Sequence, residues 1–392
     1  MTVDTSKFVA KHIACVPPSG IRKFFDIASE MKDVISLSVG EPDFVTPWNI
    51  RETCIFAVEK GYTHYTSNYG TISLRRLISK YMEKRYDVSY NPEKEILVTV
   101  GASEALDLCF RAIIDPGDEV LIPAPSYVSY MPGVKFAGGV PVTMETFEKD
   151  SFKLTEESIR NAVTPKTKAI VLPYPNNPTG GIMDKEDLKK IVKVIVENDL
   201  LVISDEIYSE LTYGKEHCSI ASFPEIRERC VVINGFSKSF AMTGFRLGYS
   251  CAPAPITKTM VKIHQYSMLC ASTMSQMAGE EALKQELASG FAQVEKMKRE
   301  YNRRRRFIYK SFKEMGLPCF EPEGAFYIFP NIAGTGMTSD EFCARLIREK
   351  GVACVPGTAF GEAGEGFIRC SYAASIANIT EAMRRIRAFI QA

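Results

Sequence analysis

Residues 233–249 read Ile-Asn-Gly-Phe-Ser-Lys-Ser-Phe-Ala-Met-Thr-Gly-Phe-Arg-Leu-Gly-Tyr, and they contain the most informative lysine of the chain, Lys238. This lysine follows a short β-branched run and lies among small residues, with Arg246 further along the same stretch. A lysine amine in such a position can form a Schiff base with a carbonyl cofactor, and an arginine can hold a phosphate through two donors. A surface lysine between a strand and a loop would show the same local pattern, so the rest of the chain has to decide between the two.

Length and composition favour a globular protein of two lobes. The chain has 392 residues, which is too long for one ordinary core, and its 45% hydrophobic and 24% charged content is typical of globular chains. Its formal net charge of +1 provides no electrostatic attraction for nucleic acid or for an anionic membrane surface. We therefore expect neither a nucleic-acid partner nor a membrane partner.

The N-terminus, the cysteines and the histidines give no sign of export or of a metal centre. No run of about 20 apolar residues is present, and residues 1–7 lack the apolar segment of a secretory signal. The 11 cysteines contain no CxxC pair, which is typical of reduced thiols in a cytoplasmic protein. The four histidines lack metal-ligand spacing, so we expect no metal. They are His12, His64, His217 and His264.

Between about residues 49 and 283, short apolar runs alternate with helical patterns. This alternation predicts an α/β fold in which a mostly parallel sheet is covered by helices on both faces. The predicted strands are 96–100, 119–122, 169–172, 200–204, 231–233 and 247–251. The predicted helices between them include 103–114 and 185–198.

The pattern changes after about residue 286, where long charged helices surround a short β-like stretch at 324–329. This change predicts a large domain at 46–285 and a smaller α+β domain formed by 1–45 together with 286–392. The dense basic run from Arg303 to Arg306 lies in a helical stretch, 291–315. We expect it to form a solvated or salt-bridged face rather than a binding patch.

Five of the predicted strands end directly in a polar or turn-forming cluster. Because ligands of open α/β sheets bind beyond the carboxyl ends of the strands, we expect these clusters to form one pocket. The clusters are Gly101-Ala-Ser-Glu-Ala105, Pro123-Ala-Pro-Ser-Tyr127, Pro173-Tyr-Pro-Asn-Asn-Pro-Thr-Gly180, Asp205-Glu-Ile-Tyr208 and Asn234-Gly-Phe-Ser-Lys238.

Two of these clusters carry groups suited to the anionic and the cationic part of one ligand. The Gly101-Ala-Ser-Glu start of a helix offers free backbone N–H groups to a phosphate, and an ordinary turn capped by Ser103 is the alternative. Asp205 follows an apolar strand, and a buried carboxylate there needs a cation such as a protonated pyridine nitrogen. A helix cap is the alternative for Asp205. Tyr208 is expected on the same helical face, with packing as its alternative.

Three further residues combine a suitable ligand-binding group with an ordinary structural explanation. Asn177 lies in a turn sequence, and its amide can also donate to a phenolate oxygen or bind a carboxylate. Tyr127 can stack on a planar ring, and packing is its alternative. Arg369, in a strand-like stretch, can clamp a carboxylate with two hydrogen bonds, and an intramolecular ion pair is its alternative.

Taken together, these stretches resemble the class I aminotransferases of fold type I, which depend on pyridoxal 5'-phosphate (PLP), and in particular their prokaryotic aspartate and aromatic branch. The resemblance covers nearly the whole chain and implies the large α/β domain and the smaller α+β domain of that fold. It rests on Ser36-Leu-Ser-Val-Gly-Glu-Pro-Asp43, His64-Tyr-Thr66, Gly101-Ala-Ser-Glu-Ala-Leu106, Asn177-Pro-Thr-Gly180, Ser204-Asp-Glu-Ile-Tyr208, the Lys238 stretch, Gly324-Ala-Phe-Tyr-Ile-Phe329, Val355-Pro-Gly357 and Arg369.

The resemblance also implies a role for each candidate residue. Lys238 would carry PLP as a Schiff base and move the substrate proton. Arg369 would hold the substrate carboxylate, with Gly40 and Asn177 in the same pocket. Tyr65 would reach the phosphate of a partner subunit, which implies a homodimer. The other implied cofactor contacts are Asp205 at the pyridine nitrogen, Tyr208 and Asn177 at the phenolic oxygen, Tyr127 on the ring, and Arg246, Ala102, Ser103, Glu104 and Ser237 at the phosphate.

The implied reaction is the transfer of an amino group between an L-amino acid and a 2-oxo acid, with 2-oxoglutarate as the expected acceptor. Ser103 stands where aspartate-specific relatives often carry a lysine, so an aspartate, an aromatic and a broad donor range all remain open. Gly235 stands where many relatives have a phosphate-binding serine, and Ser237 adjoins the lysine instead.

Other functions on the same fold are the alternatives. A PLP-dependent β-elimination, of the C–S lyase type, would use the same cofactor residues. A PLP-dependent transcription regulator would need a DNA-binding domain ahead of motifs that here begin by about Ser36, so we expect an enzyme.

Overall fold

The computed structural model describes residues 3–21 and 33–392. The strands are β1 (Ile35–Ser36), β2 (Ile96–Thr99), β3 (Glu119–Ala124), β4 (Val140–Glu145), β5 (Thr167–Leu172), β6 (Leu201–Asp205), β7 (Cys230–Gly235), β8 (Gly248–Cys251), β9 (Tyr327–Ile328), β10 (Val352–Ala353), β11 (Val355–Pro356) and β12 (Ile368–Ser371). The α-helices are Lys11–Ala14, Trp48–Glu59, Ile72–Tyr86, Ala102–Ile113, Tyr130–Phe136, Glu156–Ala162, Lys185–Glu197, Pro224–Arg227, Phe236–Ser239, Ala254–Ser267, Thr273–Ser289, Ala292–Glu314, Ser339–Lys350 and Ile376–Ile390. Short 3-10 helices lie at Ser6–Phe8, Glu148–Asp150, Ile220–Ser222, Thr243–Phe245, Ala333–Thr335, Gly357–Phe360 and Glu362–Gly364.

Seven strands form the central sheet in the order β2-β8-β7-β6-β5-β3-β4. The strands β7, β6, β5, β3 and β4 run parallel to one another, while β8 runs antiparallel to both β2 and β7. The predicted mostly parallel sheet is therefore confirmed. All six predicted strands and both predicted helices are present, with small differences at their ends.

Apolar residues fill both faces of this sheet. In β2, Ile96 and Val98 pack into one core while Leu97 packs into another, because successive side chains of a strand point to opposite faces. Helices such as Lys185–Glu197 cover the first face, and helices such as Ala102–Ile113 cover the second. The continuous apolar runs noted in the sequence are thus explained by burial on both sides.

One strand of the sheet, β4, was not predicted. It lies at the edge of the sheet, where β3 is its only partner among the described residues. Its sequence, Val-Pro-Val-Thr-Met-Glu, is mostly exposed or half-buried, so it lacks the buried apolar run that marks the central strands. Pro141 is tolerated there because an edge strand leaves some N–H groups without a ladder partner.

A further core lies outside this sheet. The helices Ala292–Glu314, Ser339–Lys350 and Ile376–Ile390 pack there around a three-stranded sheet in the order β11-β12-β9. The strand β1 pairs in parallel with β10, so a segment near the N-terminus packs with the C-terminal part of the chain. Within the β-like stretch 324–329, only β9 is a strand, and Gly324 makes a single bridge to Thr212.

The run Arg303–Arg306 is salt-bridged as expected, but two of its members are buried rather than solvated. Arg304 donates to both carboxylate oxygens of Asp43, at 2.8 and 2.9 Å. Arg305 donates to Glu321 at 2.8 Å and to a backbone carbonyl at 2.9 Å. These two arginines tie the helix to distant segments, and a local charge pattern does not reveal such contacts.

No helix within residues 3–21 and 33–392 combines the length and the apolarity needed to cross a membrane. The same part of the chain brings together no group of three or more His, Cys, Asp or Glu side chains suited to a metal ion. His217 and His264 lie instead against the carboxylates of Glu206, at 3.1 Å, and Glu104, at 2.7 Å.

Candidate active site

Lys238 lies just beyond the carboxyl end of β7, in the short helix Phe236–Ser239. Its amine donates to the backbone carbonyl of Gly40 at 2.6 Å. Burial lowers the pKa of the lysine from 10.5 to about 8, and the nearby Arg369 and Arg246 act in the same direction, while Glu41 and Asp205 oppose them. An amine with such a pKa is partly neutral near pH 7, which suits a nucleophile or a proton acceptor.

Asp205 is the last residue of β6 and is buried. Burial raises the pKa of its carboxyl group to about 6, although the Tyr130 hydroxyl, which donates at 2.7 Å, and the Ile207 N–H, which donates at 3.2 Å, lower it. A buried carboxylate of this kind is suited to a cationic partner. The prediction that Asp205 and Tyr208 share a helical face is wrong, because residues 207–210 form a turn and not a helix.

The Tyr208 side chain is nevertheless turned towards the site. Its hydroxyl lies 2.9 Å from the hydroxyl of Tyr327, and both tyrosines are buried. The Lys238 amine lies 5.9 Å from the centre of the Tyr208 ring. Burial raises the pKa of Tyr208 well above its usual value, so the hydroxyl remains protonated and can donate.

Arg369 on β12 is buried and joins three segments of the site. It donates to the Asn177 Oδ1 at 3.0 Å and to the Ser38 carbonyl at 2.6 Å. The rings of Tyr327 and Phe360 lie on the guanidinium, with ring centres 4.5 and 5.0 Å from its carbon. Its Nε is a buried donor that finds no hydrogen-bond acceptor among the described residues. A fixed guanidinium with a spare donor is suited to a ligand carboxylate.

The start of the helix Ala102–Ile113 forms an anion cradle with Arg246. Gly101 caps this helix with a φ of +80°, and a Cβ added to it would lie 2.7 Å from the Arg246 Nη2. A Cβ added to Gly248 would lie 2.5 Å from the Ala102 backbone N. The two glycines thus keep the arginine and the free helix amides close together, which is the arrangement that holds phosphate groups.

Ser103 and Glu104 lie in the first turn of that helix. Ser103 does not cap it, because Gly101 occupies the cap position, so that alternative is wrong. The Glu104 carboxylate accepts from the Val100 N–H at 2.5 Å and from His264 at 2.7 Å. These contacts occupy the Glu104 carboxylate, so the group that Glu104 can offer to an anion is its backbone N–H in the first turn of the helix.

The remaining predicted residues have different surroundings. Tyr127 is half-buried and meets Tyr130 edge-on, with ring centres 5.7 Å apart. Ser237 is buried beside Lys238. Tyr65 is 81% exposed.

Sequence reasoning missed Tyr130 and Tyr327. Each contacts a predicted residue from far along the chain: Tyr130 is 75 positions from Asp205, and Tyr327 is 119 positions from Tyr208. Tyr327 stands inside the stretch 324–329 that carried part of the family resemblance, and this was the one available signal.

A PLP enzyme that acts on amino acids needs an amine, a buried carboxylate, a phosphate site and a cation for the substrate carboxylate. The Lys238 amine, the Asp205 carboxylate, the anion cradle and the Arg369 guanidinium are suited to these four tasks. Comparison with known proteins gives the same class. Residues 32–386 match the family model described as aminotransferase class I and II, and the chain belongs to this family. It is a PLP-dependent transaminase that transfers amino groups.

Within that family, the chain belongs to the aspartate and aromatic branch. It is 48% identical to aspartate aminotransferase of Pyrococcus abyssi, with 95% of each chain covered. It is 43% identical to aromatic-amino-acid aminotransferase 2 of Thermococcus litoralis, with 96% of this chain and 97% of the relative covered. The solved structure of aspartate aminotransferase from Thermus thermophilus with maleate has a TM-score of 0.93 at 38% identity, covering 97% of this chain and 99% of that chain.

Proposed function

We propose that Lys238 binds PLP covalently and that its amine, once the substrate has displaced it, moves the proton between the substrate Cα and the cofactor's C4′. When bound, the cofactor supplies an aldehyde for the covalent bond and an electron-withdrawing ring. The observation that carries the proposal is the Lys238 amine at the strand ends, with its pKa lowered to about 8. Only the neutral amine can attack a carbonyl or accept a proton.

The other residues of the site hold the cofactor in this proposal. The Asp205 carboxylate pairs with the protonated ring nitrogen, which satisfies its need for a buried cation. Because Arg369 donates to the Asn177 Oδ1, the Nδ2 of Asn177 is left to donate to the phenolic oxygen. Tyr208 donates to the same oxygen, Tyr127 lies on the ring, and the phosphate is bound by Arg246, Ser103, the amides of Ala102 and Glu104, and Ser237.

Arg369 holds the substrate α-carboxylate, with Gly40 and Asn177 beside it. The spare Nε donor and the two flanking rings support this role. The donor range is aspartate, aromatic or broad, and 2-oxoglutarate is the amino acceptor. Relatives named for aspartate and for aromatic amino acids support this range equally.

The test is a single half-reaction followed by absorbance. Purified protein with PLP should show a lysine-bound cofactor band that converts to the amine form on addition of aspartate, glutamate or an aromatic amino acid. The released 2-oxo acid identifies the donor. Pyruvate released from a cysteine-type substrate without any 2-oxo acid acceptor would instead favour β-elimination, and the absence of conversion by a full panel of L-amino acids would contradict transamination.

Replacing Arg369 with lysine is expected to raise KM for the amino donor by about 30–150-fold while cofactor attachment remains intact. Lysine keeps the charge but loses the planar fork and the stacking on Tyr327 and Phe360, a difference of about 2–3 kcal/mol for paired charged hydrogen bonds. Steady-state kinetics measures the effect. Arg384→Lys, an exposed arginine paired with Glu381, is the matched control. An unchanged KM in Arg369→Lys would contradict the clamp.

We propose further that the protein is a homodimer and that Tyr65 reaches the phosphate of the partner subunit. Tyr65 and Tyr266 are 81% and 86% exposed, which is unusual for tyrosine. The segments that carry them are joined, because Thr273 donates to the His64 carbonyl at 2.7 Å and Asn68 donates to the Leu269 carbonyl at 2.8 Å. A shared exposed aromatic surface of this kind supports a subunit interface.

Replacing Tyr65 with phenylalanine should weaken PLP binding about tenfold without dissociating the dimer, because one hydrogen bond to a charged phosphate is lost. Sedimentation should give roughly twice the 43.7 kDa chain mass for wild type and variant. Tyr62→Phe, another exposed tyrosine nearby, is the control. A monomer in solution, or equal PLP affinity of the two variants, would contradict the proposal.

We also propose the division into a large domain, 46–285, and a small domain, 1–45 with 286–392. The core around the C-terminal helices is separate from the cores of the large sheet, which supports this division. A few residues cross it: Phe291 and Val294 pack into a core of the large sheet, and Tyr208, Leu211 and Tyr213 pack into the core of the small domain. We propose a cytoplasmic location for the protein. The buried thiols of Cys354 and Cys370, whose sulfurs lie 3.3 Å apart, are of the kind that a reducing compartment preserves.

A further inference from the structure

Tyr327 contacts three separate parts of the active site although no role has been given to it so far. Its hydroxyl lies 2.9 Å from the Tyr208 hydroxyl, and its ring centre lies 4.5 Å from the Arg369 guanidinium carbon. A Cβ added to Gly40 would lie 2.6 Å from the Tyr327 Oη, so the hydroxyl also lies against the segment that accepts from Lys238. The side chain is 1% exposed.

The direction of the hydrogen bond between the two tyrosines follows from proton counting. Each hydroxyl carries a single proton and can donate only once. When the Tyr208 hydroxyl donates its hydrogen bond to the cofactor's phenolic oxygen, Tyr327 has to be the donor of the hydrogen bond between the two tyrosines. Burial raises the pKa of both hydroxyls and the Arg369 cation lowers both, but the pKa of Tyr208 is raised further, so Tyr327 is the better donor.

We propose that Tyr327 is a positioning residue whose hydroxyl donates a hydrogen bond to the Tyr208 oxygen, so that the Tyr208 O–H is available to the phenolic oxygen. The ring of Tyr327 also supports the Arg369 guanidinium. The substrate-carboxylate clamp and the cofactor oxygen are thereby joined through one side chain. The inference rests on the proposed contact of Tyr208 with the cofactor. A tyrosine that only packs against Arg369 would leave the properties of the cofactor unchanged.

The test is Tyr327→Phe in the holoenzyme, with the pH titration of the lysine-bound cofactor absorbance as the main measurement. Loss of the donated bond weakens Tyr208 as a donor and destabilises the deprotonated form of the bound cofactor. We expect its apparent pKa to rise by about 0.5–1 unit, the size of one ordinary hydrogen bond. Because the ring under Arg369 is retained, kcat should fall by about threefold to tenfold while KM changes by less than about twofold.

Two further variants separate the proposal from a general structural effect. Tyr213→Phe removes another buried hydroxyl, which donates to the Ala325 carbonyl at 2.5 Å, and it should leave the titration unchanged. In a Tyr208→Phe background, Tyr327→Phe should add no further shift, because the two residues act through one bond. A titration of Tyr327→Phe equal to wild type, with Tyr208→Phe shifted, would overturn the role of Tyr327 and leave the proposed function intact.

Gly40→Ala gives an independent measurement in a protein that retains Tyr327. The added Cβ would press on the tyrosine hydroxyl, and we expect it to shift the cofactor titration in the wild-type background but not in Tyr327→Phe. Equal shifts in both backgrounds would contradict the proposal. Absence of a lysine-bound cofactor band in the wild type would instead contradict the proposed function itself.

Discussion

Lys238→Arg is expected to lower the rate of the amino-acid half-reaction by about 10⁴-fold or more, the upper end of what a positioned proton-transfer group contributes. Arginine keeps a positive charge in the pocket but cannot become a neutral nucleophile. The wild-type amine can, because burial and two nearby arginines lower its pKa to about 8. Single-turnover absorbance measures the rate, and borohydride reduction followed by mass spectrometry locates the cofactor on the chain.

The matched control is Lys215→Arg. Lys215 is partly exposed and pairs with Asp184 at 3.0 Å and with Glu323 at 3.5 Å, so arginine can replace it without loss. Covalent cofactor on any residue other than Lys238 in the wild type, or a Lys238→Arg protein that still turns over at the wild-type rate, would show that another group carries the chemistry.

Asp205→Asn is expected to lower kcat by about 10³-fold, the loss typical of removing one preorganised electrostatic contact. Asparagine is nearly isosteric: its Oδ1 can still accept from the Ile207 N–H, and its Nδ2 can donate to the Tyr130 hydroxyl oxygen, which then accepts instead of donating. The change therefore removes the negative charge while disturbing the fold little. A neutral partner no longer holds a proton on the ring nitrogen, so electron withdrawal from the substrate is lost.

A cofactor analogue with a permanently alkylated ring nitrogen tests whether the loss of the ring-nitrogen proton causes the fall in kcat, because the positive charge of this analogue does not depend on residue 205. Partial recovery of the half-reaction rate by the analogue in Asp205→Asn is the expected result. Asp199→Asn, on a carboxylate that is 91% exposed and pairs with Arg229, is the control. Wild-type kcat in Asp205→Asn with ordinary PLP would exclude the carboxylate from this role.

The sequence predicts the central sheet well because its strands are buried on both faces. The strands β5 and β7 each contain four consecutive buried apolar residues, and the polar continuations of these strands mark where the candidate site lies. The edge strand β4 has no such run, since one side of it faces solvent. The local pattern of apolar residues therefore predicts a strand well where both faces of the strand are buried, and poorly where one face is exposed.

Individual roles were less predictable than positions. The turn after Asp205 was expected to be helical, and spacing alone cannot decide this, because tertiary contacts fix the chain there. Tyr130 and Tyr327, which contact Asp205 and Tyr208, are brought in from other elements, and the one sequence signal for either was the place of Tyr327 in the stretch 324–329 of the family resemblance. Long-range pairing of this kind becomes visible only in the folded chain.

The opposite pKa shifts of Lys238 and Asp205 bear on the survival of the chain before it meets its cofactor. Burial makes both charges unfavourable in the folded chain, so both reduce its free energy of unfolding near neutral pH. The destabilisation by Lys238 disappears as pH rises from its folded pKa of about 8 towards its ordinary pKa of 10.5. The destabilisation by Asp205 disappears as pH falls from its folded pKa of about 6 towards its ordinary pKa of 3.8. A ligand that binds only folded chains offsets such penalties in proportion to the logarithm of its concentration. We therefore expect the chain with bound cofactor to resist proteolysis better than the same chain without it.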